Sequence, residues 1–180
     1  MMPENGTMTN EEIAREAHGQ RFEINVSMRY HEERLKFWGG LSSAAKVFEF
    51  LTTSTAAVFL FQDKPYSAWV MLAAAFLSFL VIILEAQSRI KHNTTQKARM
   101  GELSIRIPHN LDALTEERLE EIIRERKRIE LDDGIIFPCL LKLCYNAQCV
   151  ADGMPEHMKP MTRYQKTAGW FLPVPYNRKA

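Results

Sequence analysis

The sequence carries no catalytic signature. Its 180 residues contain no H-E-x-x-H, no G-x-S-x-G, no P-loop and no G-x-G-x-x-G. His31-Glu32-Glu33-Arg34 lacks the second histidine that a zinc-binding helix needs. An excess of one charge is also missing. Lys plus Arg number 23 and Asp plus Glu 22, a net +1 that gives no basic field for nucleic acid. Cysteine is scarce: Cys139, Cys144 and Cys149 are three residues, each five from the next. Five helical steps turn about 140°, so the thiols do not share one face. Tight C-x2-C pairs, the usual metal spacing, are absent. Buried free thiols are the expectation. Asp132-Asp133 has no suitably spaced third carboxylate and reads as a helix stop. The first forty residues lack an apolar stretch behind a basic start, so no cleavable signal peptide is expected. Together these absences predict a non-enzymatic protein with no cofactor and no metal.

What is present is lipid-like. Tyr66–Leu84, YSAWVMLAAAFLSFLVIIL, is nineteen residues without a charge. As a helix it spans about 28 Å, close to a hydrocarbon core of about 30 Å. A core helix of a water-soluble domain would show a polar stripe, and only Ser67 and Ser78 are offered here. Leu41–Phe61 precedes it, also long enough to cross but carrying Lys46 and Glu49. Gln62-Asp63-Lys64-Pro65 between the two predicts a tight antiparallel hairpin. Arg29, Arg34, Lys36 and Lys46 lie before it, and Arg89, Lys91, Lys97 and Arg99 after it. The positive-inside rule then places both termini in the cytoplasm. The mean hydropathy of −0.24 keeps most of the chain out of the bilayer.

The first crossing is the more informative one. Wound as a helix, Ser42, Lys46, Glu49, Thr53, Ala56 and Ala57 fall within about 100° of arc. Every strongly polar group of the segment shares that face with small residues. A charge at mid-bilayer costs about 2.5–3.5 kcal/mol, so the face should meet protein or water. One reading makes Ser42, Lys46, Glu49 and Thr53 a pore or an interface between copies. The other makes them simple intrachain packing against Ala73, Ala74, Ala75 and Ser78, which allow close approach. Arg29, His31, Arg34, Arg89 and Lys91 are expected at the membrane edge.

The flanks read as helical. Thr9-Asn10-Glu11-Glu12 has capping-box spacing and predicts a short helix ended by Gly19. Arg21–Tyr30 alternates like a strand, yet it runs into the helix-favouring YHEERLKFW. A long helix is therefore expected to start between Arg21 and Ser27. Glu102–Ile107 alternates again. Asn110 or Thr115 caps the next helix, whose apolar stripe is Leu111, Leu114, Leu119, Ile122, Ile123 and Ile129. Its acids come first and its bases last, favourable to the macrodipole, with Glu120 and Arg124 paired at i,i+4. Pro138 opens a final helix through about Val150. The chain divides as 1–20 (tail and short helix), 21–100 (hairpin, crossings 41–61 and 66–84), 101–153 (cytosolic helices) and 154–180 (a proline-rich aromatic tail). The tail's Gly169-Trp170-Phe171-Leu172 and Tyr176 are expected on the cytosolic bundle or at headgroup level. The fold class is all-α, a transmembrane hairpin with a small cytosolic bundle.

Arg29-Tyr30-His31-Glu32-Glu33-Arg34, the hairpin, the basic Arg89–Arg99 stretch, and Arg128-Ile129-Glu130-Leu131-Asp132-Asp133 leading to Leu143-Cys144-Tyr145-Asn146 together resemble the SLATT proteins. These are the SMODS- and SLOG-associating two-transmembrane effectors of bacteria. The resemblance covers roughly Arg21 to Gly153 and rests on order and arrangement. It implies a bacterial inner-membrane effector in antiphage or other conflict systems, forming a homo-oligomeric pore in membrane lipid. Activation would come from a partner protein that senses a nucleotide signal. No catalytic residues carry over. Alternatives are a membrane scaffold recruiting a cytosolic partner through Thr115–Leu131 and the aromatic tail, or a phage-borne superinfection-exclusion protein.

Overall fold

The computed structural model describes residues 8–60, 65–108, 111, 114–133 and 136–168. Among these it is all-helical, with no strand. The elements are α1 (Asn10–Leu60), α2 (Pro65–Arg106), α3 (Glu116–Leu131), α4 (Pro138–Ala151), a 3-10 turn (Pro155–His157) and α5 (Arg163–Ala168).

The expected capping box starts α1. The Thr9 N–H donates to the Glu12 carboxylate (2.9 Å), and the Glu12 N–H donates to Thr9 Oγ1 (3.4 Å). These hydrogen bonds from Thr9 hold Glu12 below the usual carboxylate range. The helix does not stop at Gly19, nor does a second one begin after Arg21; α1 runs unbroken for 51 residues. Its buried residues explain the continuity. Ile13, Ala17, Gln20, Ile24, Ser27, His31 and Arg34 recur at alternating steps of four and three. That is the seam of a helix packed along one side, and Gly19 sits off it on the exposed side.

The chain divides into two units, Met1–Glu32 with Thr95–Ala180, and Glu33–Thr94. The first holds two cores. Ile13, Ala17 and Ile24 of α1 join Met100 and Leu103 of α2, Ile107, Leu114, and Leu119, Ile122 and Ile129 of α3. On another side, Val26 and Tyr30 pack with Leu140 and Cys144 of α4, flanked by Phe22 and Tyr145. This accounts for the strand-like alternation of Arg21–Tyr30. Residues two apart on a helix point about 200° apart. Phe22, Val26 and Tyr30 serve the second core, while Ile24 and Met28 serve the first. A helix clasped on opposite faces needs apolar groups at period two. In Glu102–Ile107 the alternation has another cause. Leu103 and Ile107 are buried, but Ile105 points outward with 84% of its surface exposed.

Thr115 caps α3, its hydroxyl accepting from the Arg118 N–H at 3.4 Å; Asn110 lies outside the described residues. The Glu120–Arg124 pairing is replaced: Arg124 Nε donates to the Glu120 carbonyl. The ion pairs run through the buried Arg126, to Glu23 of α1 and to Glu130 at 3.4 Å. Pro138 opens α4, and Cys139, Cys144 and Cys149 are buried thiols outside any disulfide. Residues 154–168 hold more regular structure than their prolines predict. Thr162 and Gln165 form a second capping box that starts α5, with bonds of 3.1 and 3.2 Å. The aromatic cluster Gly169–Tyr176 lies outside the described residues.

In the second unit α1 and α2 are helical up to the link. Gln62, Asp63 and Lys64 lie outside the described residues. Among the described residues no helix is long and apolar enough to cross a membrane. Of Tyr66–Leu84, the side chains described are Trp69, Ala73, Phe76, Phe79, Leu80 and Leu84.

Candidate functional site

Those six side chains fall into two sets. Trp69, Ala73, Phe76, Leu80 and Leu84 are all exposed, and steps of four, three, four and four put them within about 80° of arc. Phe79 is buried, to one side of that arc. Trp69 keeps 57% of its surface, Phe76 54% and Leu84 62%. On the described part of α1 in this unit Val47 and Phe50 are exposed too, Phe50 at 72%, but exposed Ser43 and Lys46 share their side of the helix. A helix in contact with water turns its charged and polar groups outward and its apolar stripe inward. On α2 an outward stripe contains nothing polar. Contiguous apolar surface of this kind marks contact with a membrane or another protein.

The stripe expected on the first crossing is divided. Ser42 is buried with Ala45, whereas Lys46 is exposed. The side chains of Glu49 and Thr53 lie outside the described residues.

The residues expected at the membrane edge have several different surroundings. In the unit containing α3 and α4, Arg29 Nε donates to Gln148 Oε1 at 2.6 Å, and Gln148 in turn donates to Asp152. His31 has no exposed surface, and its Nε2 lies 3.2 Å from Asp133 Oδ2. Beside it, the Tyr30 hydroxyl accepts from the Phe137 N–H at 3.2 Å. Lys97 pairs with Glu32 at 3.1 Å, and Arg99 with Asp132 at 2.9 Å. The Asp132-Asp133 turn therefore does more than stop α3: Arg99 of α2 and His31 of α1 both reach it. The sequence signal was two adjacent acids at a helix end, which says nothing of distant partners. In the other unit Arg34 is buried, its guanidinium 5.4 Å from the Trp38 ring centre. Arg89 reaches Glu85 at 3.8 Å in an exposed pair of little energetic weight, and Lys91 is exposed.

The exposed stripe of α2 was hidden in the sequence because the whole run is apolar. A signal did exist. Bulky Trp69, Phe76, Leu80 and Leu84 share one arc, and the small residues Ala74, Ala75 and Ser78 avoid it. Among the described residues no group of three or more His, Cys, Asp or Glu side chains is placed to hold a metal ion. Comparison with protein-family models, curated proteins and solved structures finds no match to this chain.

Proposed function

We propose that this chain is an integral-membrane effector, in which the hairpin built on residues 41–84 enters the bilayer, assembles with further copies and makes it leaky. One observation carries the reading: the outward stripe Trp69-Ala73-Phe76-Leu80-Leu84 has no polar member. Left in water, such a stripe forfeits about 25 cal/mol for every Å2 of apolar surface. Lipid removes that cost without needing a complementary protein face. The uncharged nineteen-residue run and the Lys/Arg distribution support the same placement. The likeness to two-crossing effectors supplies the role, a non-enzymatic membrane-perturbing component that receives its signal from a partner.

Within this reading Glu49 belongs to the face that copies present to one another or to a pore. Purified full-length chain reconstituted into dye-loaded vesicles should release dye. Glu49→Leu should abolish release while the protein still floats with the vesicles. Equal release by the variant rejects the pore. Failure of the wild-type chain to float with vesicles rejects the membrane placement itself.

A further inference from the structure

In the unit formed by Met1–Glu32 and Thr95–Ala180, α1, α3, α4 and the segment from Met154 to Lys159 surround an open cleft of about 800 Å3. That is the size of a small-molecule site. Its apolar lining includes Phe22, Val26, Leu141 and Tyr145, with the Phe22 and Tyr145 rings edge to face at 5.2 Å. Its charges are unevenly committed. Glu23 and Glu130 both engage Arg126, so that wall is already saturated with acid. The Nε–H of Arg126, itself nine-tenths buried, has no acceptor among the described residues.

Lys159 differs. Its ammonium stands 4.1 Å from the centre of the Tyr145 ring, and among the described residues no carboxylate pairs with it. The segment bearing it is fixed by Asn146 of α4. The Asn146 amide donates to the Lys159 carbonyl and accepts from the Lys159 N–H, both at 2.8 Å. A paired amide clamp of this kind removes backbone freedom that an ordinary surface lysine keeps. Burial and the neighbouring Cys149 hold the Tyr145 hydroxyl above its ordinary range, so the ring stays neutral beneath the ammonium.

We propose that this cleft binds an amphipathic anion, a flat aromatic or short alkyl body bearing one carboxylate or phosphate. The body lies against Phe22, Leu141 and Tyr145, and the acid meets Lys159. A charge-assisted contact on a preplaced donor is the strong kind, and the apolar slot supplies the remaining affinity. The binding site lies in the unit that does not contain the exposed stripe, so it stands whether or not the hairpin enters lipid.

The test titrates the full chain calorimetrically with 1-naphthyl phosphate, in nanodiscs of zwitterionic phosphatidylcholine with empty discs as the blank, and in plain buffer if the chain does not enter the discs. Saturable one-site binding is expected, with inorganic phosphate binding far more weakly because it lacks the body. Lys159→Ala should weaken binding about tenfold or more, and Lys159→Arg should restore most of it. Lys159 is exposed, so unchanged thermal unfolding of the alanine variant checks that the fold is intact. Lys91→Ala, in the other unit, should leave binding unchanged. Absence of saturable binding at millimolar probe, or equal affinity of Lys159→Ala and wild type, overturns the proposal. Discs containing phosphatidate separate two sources of the same chemistry. Displacement of the probe assigns the cleft to a lipid headgroup, and unchanged binding assigns it to a soluble compound; either outcome keeps the cleft as the site.

Discussion

The two units expose apolar surface differently: Ile105, Leu131 and Val150 stand out on separate helices in the first, whereas Trp69, Phe76, Leu80 and Leu84 share one arc of α2 in the second. Around α3 and α4, isoleucine and leucine fill closed cores and the buried Arg126 is neutralised by two acids. In Glu33–Thr94, described side chains as large as Phe50, Trp69 and Phe76 point outward. The first arrangement is what water selects, because it hides apolar area and satisfies the charges. The second leaves an uncovered apolar arc, the feature on which the proposed membrane placement rests. The boundary between the two units falls within single helices, α1 and α2.

The comparison breaks most readily in the cores. Leu119→Ala and Ile24→Ala should each destabilise the fold by about 2–5 kcal/mol in denaturant unfolding, the cost of a cavity in a closed core. Phe76→Ala should change stability by less than about 1 kcal/mol, because it opens no cavity. Equal losses at the two places would erase the distinction.

Next in size is a charge on the outward stripe. Phe76→Asp should cost about 3 kcal/mol of membrane insertion and move the protein out of carbonate-washed membranes. Unaltered membrane retention would mean that this face does not meet lipid.

A smaller effect is expected at the turn that ties α3 to α1. Asp133→Ala should cost about 1–3 kcal/mol, since it removes the carboxylate 3.2 Å from the fully buried His31. A neutral result would show that this contact adds nothing to the core.

The smallest effect sharpens the electrostatic side. Burial pushes the Glu130 carboxyl above its ordinary range, although Arg126 opposes the shift. A raised folded-state value means that the protonated form is favoured by folding. Glu130 therefore contributes stability at pH values below its unfolded-state value, and this is lost as pH rises through the folded-state one. Glu130→Gln should be slightly more stable than wild type at neutral pH, by roughly 0.5 kcal/mol at most given solvent screening. The difference should vanish in acid, as thermal unfolding across pH will show.

Local chemistry was legible in the sequence wherever a short motif determines it. Thr9 with Glu12, Thr115 at the start of α3 and Pro138 at the start of α4 all act as their spacing implies. The same spacing in Thr162 and Gln165 starts α5 within a stretch whose prolines imply an irregular chain. Gly19 misled for a different reason. Glycine weakens a helix by about 1 kcal/mol, and the buried residues on either side, Ala17 and Gln20, outweigh that through tertiary packing. The distant partners His31 with Asp133 and Lys159 with Tyr145 were not legible at all. They depend on how separate segments of the chain fold against one another, α3 on α1 and the stretch after the 3-10 turn on α4, and no spacing rule encodes that.

Between Phe22 and Tyr30, α1 is gripped from two opposite sides. Such a rod cannot roll. Turning it by one residue, about 100°, would pull Ile24 from one hydrophobic nest and Val26 from the other together. The two cores therefore fix the rotational setting of α1, and with it which of its faces every later turn of the same helix presents.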